Sequence, residues 1–294
     1  MARQAHNRVT EPGFVRVGTK DNFYQSSAFI PMSFALVTTV YENGETGIGP
    51  HALCFPFGIT KPHSMLLISR GTSGTAGNIR RTGKCALNYI EFDRDLLQGV
   101  SNLGLPGRAL ADKQRDNPFT MIDSPSAEQA ADPDFPLIIA DAFQVFECSW
   151  NRGADLQPLL GADEGDPGDH FVLTVDNNLM KEEFVDGIED GTKFPRMPIF
   201  YGFRANGQFW FAEHEAPFPM ELPKVEGNEV QTVFYLANRL DETVRFTNEA
   251  CAKLTGIPRP FLKDALKSII TSARDKGATE VDAALLAEIN AERK

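Results

Sequence analysis

The chain has 294 residues, 42% hydrophobic and 23% charged, ordinary values for a globular protein with room for one large domain or two smaller ones. Its 29 basic and 40 acidic residues give a net charge of −11, which argues against nucleic acid or an anionic membrane as main partner. No run approaches the roughly 18 apolar residues of a membrane span, and the first residues lack a signal-peptide core, so the expected location is the cytoplasm. Cys54, Cys85, Cys148 and Cys251 are far apart and the histidines are not clustered, so no metal centre is expected and the thiols read as buried.

Residues 1–27 are polar, with a short strand candidate at Phe14-Val15-Arg16-Val17. The run from Phe34 to Tyr41 is rich in β-branched and aromatic residues and reads as a strand. Asn43-Gly44 then marks a hairpin turn into Thr46-Gly47-Ile48. Thr38 and Thr39 read first as ordinary strand residues and only second as ligand contacts. The apolar run from Gly49 to Phe57 and a strand at Met65–Ile68 follow.

The organising stretch comes next. Ser69-Arg70-Gly71-Thr72-Ser73-Gly74-Thr75 leads into about two turns of helix ending at Gly83, then a strand from Cys85 to Ile90. Ser69, Thr72, Ser73 and Thr75 offer hydroxyls, and Arg70 offers a planar fork of donors. Gly71 and Gly74 let the backbone approach a ligand, and the helix start presents unpaired N–H groups. The turn reads as a phosphate cradle, or equally as a Ser/Thr-rich turn with a surface arginine. No Gly-Lys-Ser/Thr follows, so it is not a P-loop. In an acidic chain, Arg70, Arg80 and Arg81 are the local positive supply for an anion.

The strand, Ser69-Arg70, the following threonines, Asn78-Ile79-Arg80-Arg81-x-Gly83 and the closing Ala86-Leu87-Asn88 together resemble the flavin reductase-like family, over about residues 25–215. The resemblance implies a mainly β fold, an antiparallel split β-barrel of the FMN-binding type, as a homodimer with FMN near the interface. It implies that Gly49, Pro50, His51 and Ala52 run along the isoalloxazine, and that Ser69, Arg70, Thr72, Ser73, Thr75 and Asn78 hold the cofactor by its phosphate end. With Gly47, Gly49 and His51 where the family often has Asn or Ser, ring contacts there would come from backbone.

Residues 91–140 differ in character: Asp93–Leu103 and Ala109–Asp116 look helical, and Pro118, Pro125, Pro133 and Pro136 punctuate a polar stretch. It reads as a substrate lid or as a surface excursion. A strand from Phe143 to Trp150 follows, then a polar break and Gly168-Asp169-His170 opening a strand to Val175. That triplet resembles the Gly-Asp-His motif of NAD(P)H-using flavin reductases. It implies a catalytic His170 beside flavin and dinucleotide, with Asp169 orienting or charging the imidazole. From the residues alone, a histidine at a strand start is equally a structural one. His51 is the second catalytic candidate, on its titration range. Met197–Gly202 and Gln208–Ala212, joined at Ala205-Asn206-Gly207, form a hairpin that in the resemblance completes the barrel. Its aromatics read as core or dimer interface first.

Near residue 216 composition shifts: Pro217, Pro219 and Pro223 form a linker, and helical periodicity follows. Glu229–Leu240 reads as one helix, Thr247 caps a second ended by Gly256 and Pro258, Pro260 opens a long third stopped by Gly277, and Thr279 with Asp282 opens a fourth. Ala250, Leu254, Ile257, Pro258 and Ala273-Arg274-x-Lys276-Gly277 resemble the helical module that ends the B subunit of light-independent protochlorophyllide reductase. That implies a docking module for a protein partner, not chlorophyll chemistry. The expected organisation is a barrel over 1–215, a linker and connecting helix over 216–245, and an all-α module over 246–294. The expected function is an FMN-binding oxidoreductase using NAD(P)H. The alternatives are an FMN enzyme acting on a small organic substrate and a non-catalytic flavin-binding module that recruits a partner.

Overall fold

Runs of Val, Thr, Ile and aromatic residues extend, and Gly- and Asn-bearing turns reverse them, so the first half of the chain becomes antiparallel sheet. The computed structural model describes residues 13, 15–19, 23–105, 107–154, 156, 168–204, 207–220 and 229–292. The chain forms two compact units, Met1–Pro217 and Phe218–Lys294.

In the first unit, the short helix α1 (Phe23–Ser26) precedes β1 (Ala35–Val40), β2 (Thr46–His51), β3 (Cys54–Gly58) and β4 (Ser64–Ser69). Then come α2 (Gly74–Thr82), β5 (Lys84–Ile90), α3 (Arg94–Leu103) and α4 (Leu110–Arg115). The strands β6 (Met121–Ile122) and β7 (Ile138–Ile139) flank α5 (Ala127–Ala130). The unit continues with β8 (Ala142–Trp150), β9 (Asp169–Met180), α6 (Glu182–Asp190), β10 (Pro198–Arg204) and β11 (Gln208–Glu213).

Seven strands pair in the order β2-β1-β5-β8-β9-β4-β3, all antiparallel. The two edges, β2 and β3, are consecutive in the chain with only Ala52 and Leu53 between them. One bent strand therefore pairs with β1 at one end and β4 at the other, and curls the sheet into a barrel. Ile68 N–H donates to the Leu53 carbonyl at 2.9 Å, at the bend itself. The apolar run from Gly49 to Phe57 is thus two strand pieces, not one.

Strand alternation gives the barrel two apolar faces. Val37, Leu67, Leu87, Cys148, Phe171 and Leu173 face inward with Ala76 and Ile79 of α2. Leu36, Ile48, Ala86 and Val145 face outward beneath Leu97, Val100 and Leu103 of α3 and Phe200 of β10. Each Val, Leu, Ile or Phe among them contributes about 1.5–3 kcal/mol on burial. Burial also pushes the Cys54 thiol up to about 12, so it is an unreactive packing group.

Several sequence expectations change. Val15–Val17 have no regular structure, and Phe14 lies outside the described residues. The proline-punctuated stretch is built into the fold: β6 pairs with β7, and Ile139 N–H donates to Asn88 Oδ1 at 2.9 Å. Helix α6 and the extension of β9 to Met180 were not legible; Phe184 of α6 packs against Phe143 in the inner core. The β10–β11 hairpin does not complete the barrel. It is a separate two-stranded sheet whose Phe200 and Phe211 pack on Phe34, because the bent β2–β3 strand already joins the edges. Ala205 and Asn206 of its turn lie outside the described residues.

The second unit holds α7 (Glu229–Ala237), β12 (Arg245–Phe246), α8 (Asn248–Leu254), α9 (Arg259–Asp275), β13 (Glu280–Val281) and α10 (Ala283–Glu292). Thr247 caps α8 by accepting from Ala250 N–H at 3.2 Å. Val233 and Ala237 of α7 share one core with Cys251, Leu266, Ile269, Leu286 and Ile289, so the segment read as a connecting helix is part of the module's core. The helices are joined by one two-residue parallel pair, β12 with β13. The buried Asp241 carboxylate accepts from the Thr243 and Val244 amides at 2.8 and 2.9 Å and from Arg274, which ties the 241–244 turn to α9. No described helix is long and apolar enough to cross a membrane.

Each unit has its own buried core, so a chain ending at Pro217 is expected to keep its β-rich circular dichroism and its melting temperature within a few degrees. Loss of the β signal on truncation would make the helical unit a part of the barrel's stability.

Candidate functional site

Strand β4 ends at Ser69 and α2 begins at Gly74, and the turn between them is set by its serines. Ser73 is the N-cap: its hydroxyl accepts from Ala76 N–H at 3.0 Å, and its own N–H donates to the Arg70 carbonyl at 2.9 Å. Ser69 Oγ lies 2.7 Å from Ser73 Oγ. Both hydroxyls are therefore engaged in shaping the turn. Arg70 and Thr72 are exposed, while Thr75 is buried. The first amides of α2, which have no intrahelical acceptor, open onto this turn with the positive end of the helix dipole.

Thr75 faces β2. A Cβ at Gly49 would stand 2.6 Å from Thr75 Oγ1 and 3.1 Å from His51 Nε2, so only glycine fits between them. Val37 pairs with Gly49 and Ala35 with His51, which puts Gly49 and His51 on the inner face. Pro50 and Ala52 point the other way: Pro50 packs near Gly104 at the end of α3, and Ala52 against the outer core. The four-residue run read as a ring-facing surface is thus divided by strand alternation. Asn78 donates to Thr39 Oγ1 at 3.0 Å inside the barrel and anchors α2 to β1. Thr38 is engaged with Asn88 on the opposite face. Tyr41 stacks over both Gly47 and Gly74, where any Cβ would collide with its ring or hydroxyl.

Burial, with the Lys113 cation of α4 adding to it, pushes His51 down to about 4. At pH 7 the imidazole is neutral, which corrects the titration argument for it as a proton source. Burial also raises the Tyr24 hydroxyl, an effect that the nearby Arg70 guanidinium partly offsets, so α1 comes within electrostatic reach of the turn.

The three arginines divide. Arg80 donates to Asp169 and, through Nη2, to the Gly71 carbonyl at 2.8 Å. Arg81 donates to the Val40 carbonyl at 2.5 Å and faces Asp134 at 3.7 Å. Arg70 is the guanidinium exposed on the turn. In β9, Asp169 pairs with Ser69 and His170 with Ile68, so the Gly-Asp-His stretch does lie beside the turn. Its carboxylate, however, serves Arg80. His170 Nδ1 lies 3.1 Å from the Gly168 carbonyl, and neighbouring strand residues face opposite ways. The expected Asp169–His170 couple is therefore replaced by Asp169–Arg80. Gly168 has φ +79°, and a Cβ there would meet the Ser69 carbonyl at 2.8 Å, which requires glycine before the acid.

An open cleft of about 400 Å³ lies along α2, lined by Tyr41, Asn43, Gly74, Asn78, Arg81 and Leu110. A larger one, about 600 Å³, lies between β9 and α6 and includes none of the turn's residues. Sequence reasoning missed Tyr24, Tyr41 and Lys113. No local pattern distinguishes them, because each reaches the site across the fold.

No family model matches the chain, and no curated protein matches it. Among solved structures, it is similar to 2-nitrobenzoate 2-nitroreductase NbaA from Pseudomonas fluorescens, at 14% identity over 74% of this chain and 97% of that one, with a TM-score of 0.51. It is also similar to nitrilotriacetate monooxygenase component B from Bacillus cereus, at 15% identity over 75% of this chain and 98% of that one, TM-score 0.49. Flavoredoxin from Methanosarcina acetivorans matches at 12% identity over 73% of this chain and 98% of that one, TM-score 0.47. The likeness to the nitroreductase is one of fold. The first unit has the antiparallel split-barrel fold that the sequence resemblance implies.

Proposed function

We propose that the first unit binds FMN at the Ser69–Thr75 turn and works as an oxidoreductase with NAD(P)H as electron donor. The observation that carries this reading is the turn itself: an exposed arginine and threonine standing before the capped start of α2. That donor set suits a phosphate in chemistry, with a planar fork, hydroxyls and first-turn amides. Arg70 and Thr72 would hold the phosphate, and Gly49 and Thr75 would bound the site on the β2 side. Neutral His51 would offer a hydrogen bond rather than a proton. Bound FMN would supply the hydride chemistry, while the chain binds, orients and excludes water. A homodimer, and a protein partner for the helical unit, belong to the same proposal.

A second reading, reduction of a small organic substrate beside the flavin, draws on two observations. Helices α3 and α4 of the 91–140 stretch pack on β2, and the fold is shared with a protein named for nitroreductase activity. The deciding measurement is the absorption spectrum of the purified protein before and after anaerobic NADH or NADPH. A yellow protein bleached by either supports the leading reading. A colourless protein that takes up no FMN removes both.

His170 sits at the start of β9 beside the turn, with its Nδ1 3.1 Å from the Gly168 carbonyl. His170→Ala is expected to leave FMN affinity intact and slow flavin reduction by NAD(P)H about tenfold in stopped-flow, the loss of one positioning contact. Wild-type reduction rates in the variant would remove His170 from the dinucleotide's side of the site.

A further inference from the structure

The guanidinium of Arg80 is a fork with its two arms on different parts of the chain. One arm takes the Asp169 carboxylate, at the start of β9, and the other takes the Gly71 carbonyl, in the middle of the turn. Arg80 itself lies in the second half of α2, and its own carbonyl accepts from Arg152 Nη2 at 2.8 Å. Helix, turn and strand are thereby tied at one residue. Asp169 stands in register with Ser69, and the glycine before it lets β9 approach the Ser69 carbonyl closely. The peptide between Gly71 and Thr72 is planar and trans, so holding its carbonyl toward Arg80 turns the Thr72 N–H to the opposite side.

We propose that Asp169 and Arg80 form a positioning clamp that holds the 69–75 turn in its anion-binding shape, so that the Gly-Asp-His stretch serves the phosphate through its acid. This rests on the FMN reading above. The clamp also accounts for charge: Asp169 neutralises Arg80, which leaves Arg70 as the turn's exposed guanidinium. Because the pair is partly exposed, at 45% and 25% of its side-chain surfaces, its main effect falls on the shape of the turn and little on global stability.

The test compares wild type, Asp169→Ala, Asp169→Glu, Arg80→Ala and the Asp169→Ala/Arg80→Ala double variant. FMN affinity is read by quenching of flavin fluorescence, and amide hydrogen exchange over residues 70–73 is read in the FMN-free protein. Each alanine variant is expected to weaken FMN about three- to tenfold, with the double variant no weaker than the singles, since both remove one device. Exchange in the turn speeds up in all three, melting moves little, and Asp169→Glu recovers most of the affinity. Unchanged affinity or unchanged exchange in Asp169→Ala overturns the clamp. Tighter FMN binding in that variant also overturns it, because Arg80 would then be a ligand that Asp169 holds back. A wild-type protein that binds no FMN overturns the cofactor reading and this role with it, whereas a binding wild type with unaltered variants overturns the clamp alone.

Discussion

Arg70→Ala is expected to lower FMN affinity by about ten- to a hundredfold with no change in melting temperature. Arg70 is exposed at the turn, and the bonds that shape the turn come from its backbone carbonyl and from Ser69 and Ser73, not from its guanidinium. A charge-assisted hydrogen bond to a phosphate contributes about 1.5–3 kcal/mol, and each 1.4 kcal/mol or so is tenfold in affinity. The chain's charge of −11 sharpens the effect, since the overall field repels the anion that this one side chain attracts. Arg70→Lys should recover only part of the loss, because an ammonium lacks the planar two-point geometry. An unchanged FMN dissociation constant in Arg70→Ala would take the turn out of the site.

The barrel unit is expected to lose stability in mild acid, through His51. The folded state holds this imidazole at about 4, below the ordinary value of 6.5, because burial and Lys113 disfavour the imidazolium. A depressed folded value means that the unfolded chain takes up the proton first. The stabilising contribution is therefore complete above about pH 6.5 and is lost as pH falls toward 4. Because the His51 ring is only half-buried, solvent screening keeps the contribution to about 1–3 kcal/mol, still a noticeable part of the roughly 5–15 kcal/mol that holds a domain folded. Melting followed from pH 7 to pH 4.5 should show a steep decline in wild type, a shallower one in Lys113→Met, and a nearly flat profile in His51→Gln. An identical decline in His51→Gln would assign the acid sensitivity to other groups.

The two predictions come from different levels of the chain. The Ser69–Thr75 turn was legible because its information is local: a strand end, an N-cap serine three residues before the amide it accepts from, and a glycine C-cap with φ 72° at Gly83. His51 could be nominated from its place in the chain, but not its protonation state. That state depends first on burial in the fold and then on Lys113 of α4, which the fold brings to β2 from some sixty residues away.

By itself, the sequence determined where strands and helices run, because alternation, turn residues and caps act over a few neighbours. A β-branched and aromatic run marks β1, alternation marks β8, and the periodicity of Leu262, Leu266, Ile269 and Ala273 marks α9. Elements with too few core positions left no such trace: α6 buries only Phe184 and Gly187, and β6 and β7 have two residues each. The tertiary structure alone decided the rest. It decided that β2 and β3 are one bent strand joining both sheet edges, that β10–β11 lies outside the barrel, and that Pro50 and Ala52 turn away from Gly49 and His51. It also decided that Asp169 meets Arg80, 89 positions away, and not the histidine next to it. Neighbours on a strand point to opposite faces, so a side chain's partner is set by register and by what packs across the sheet.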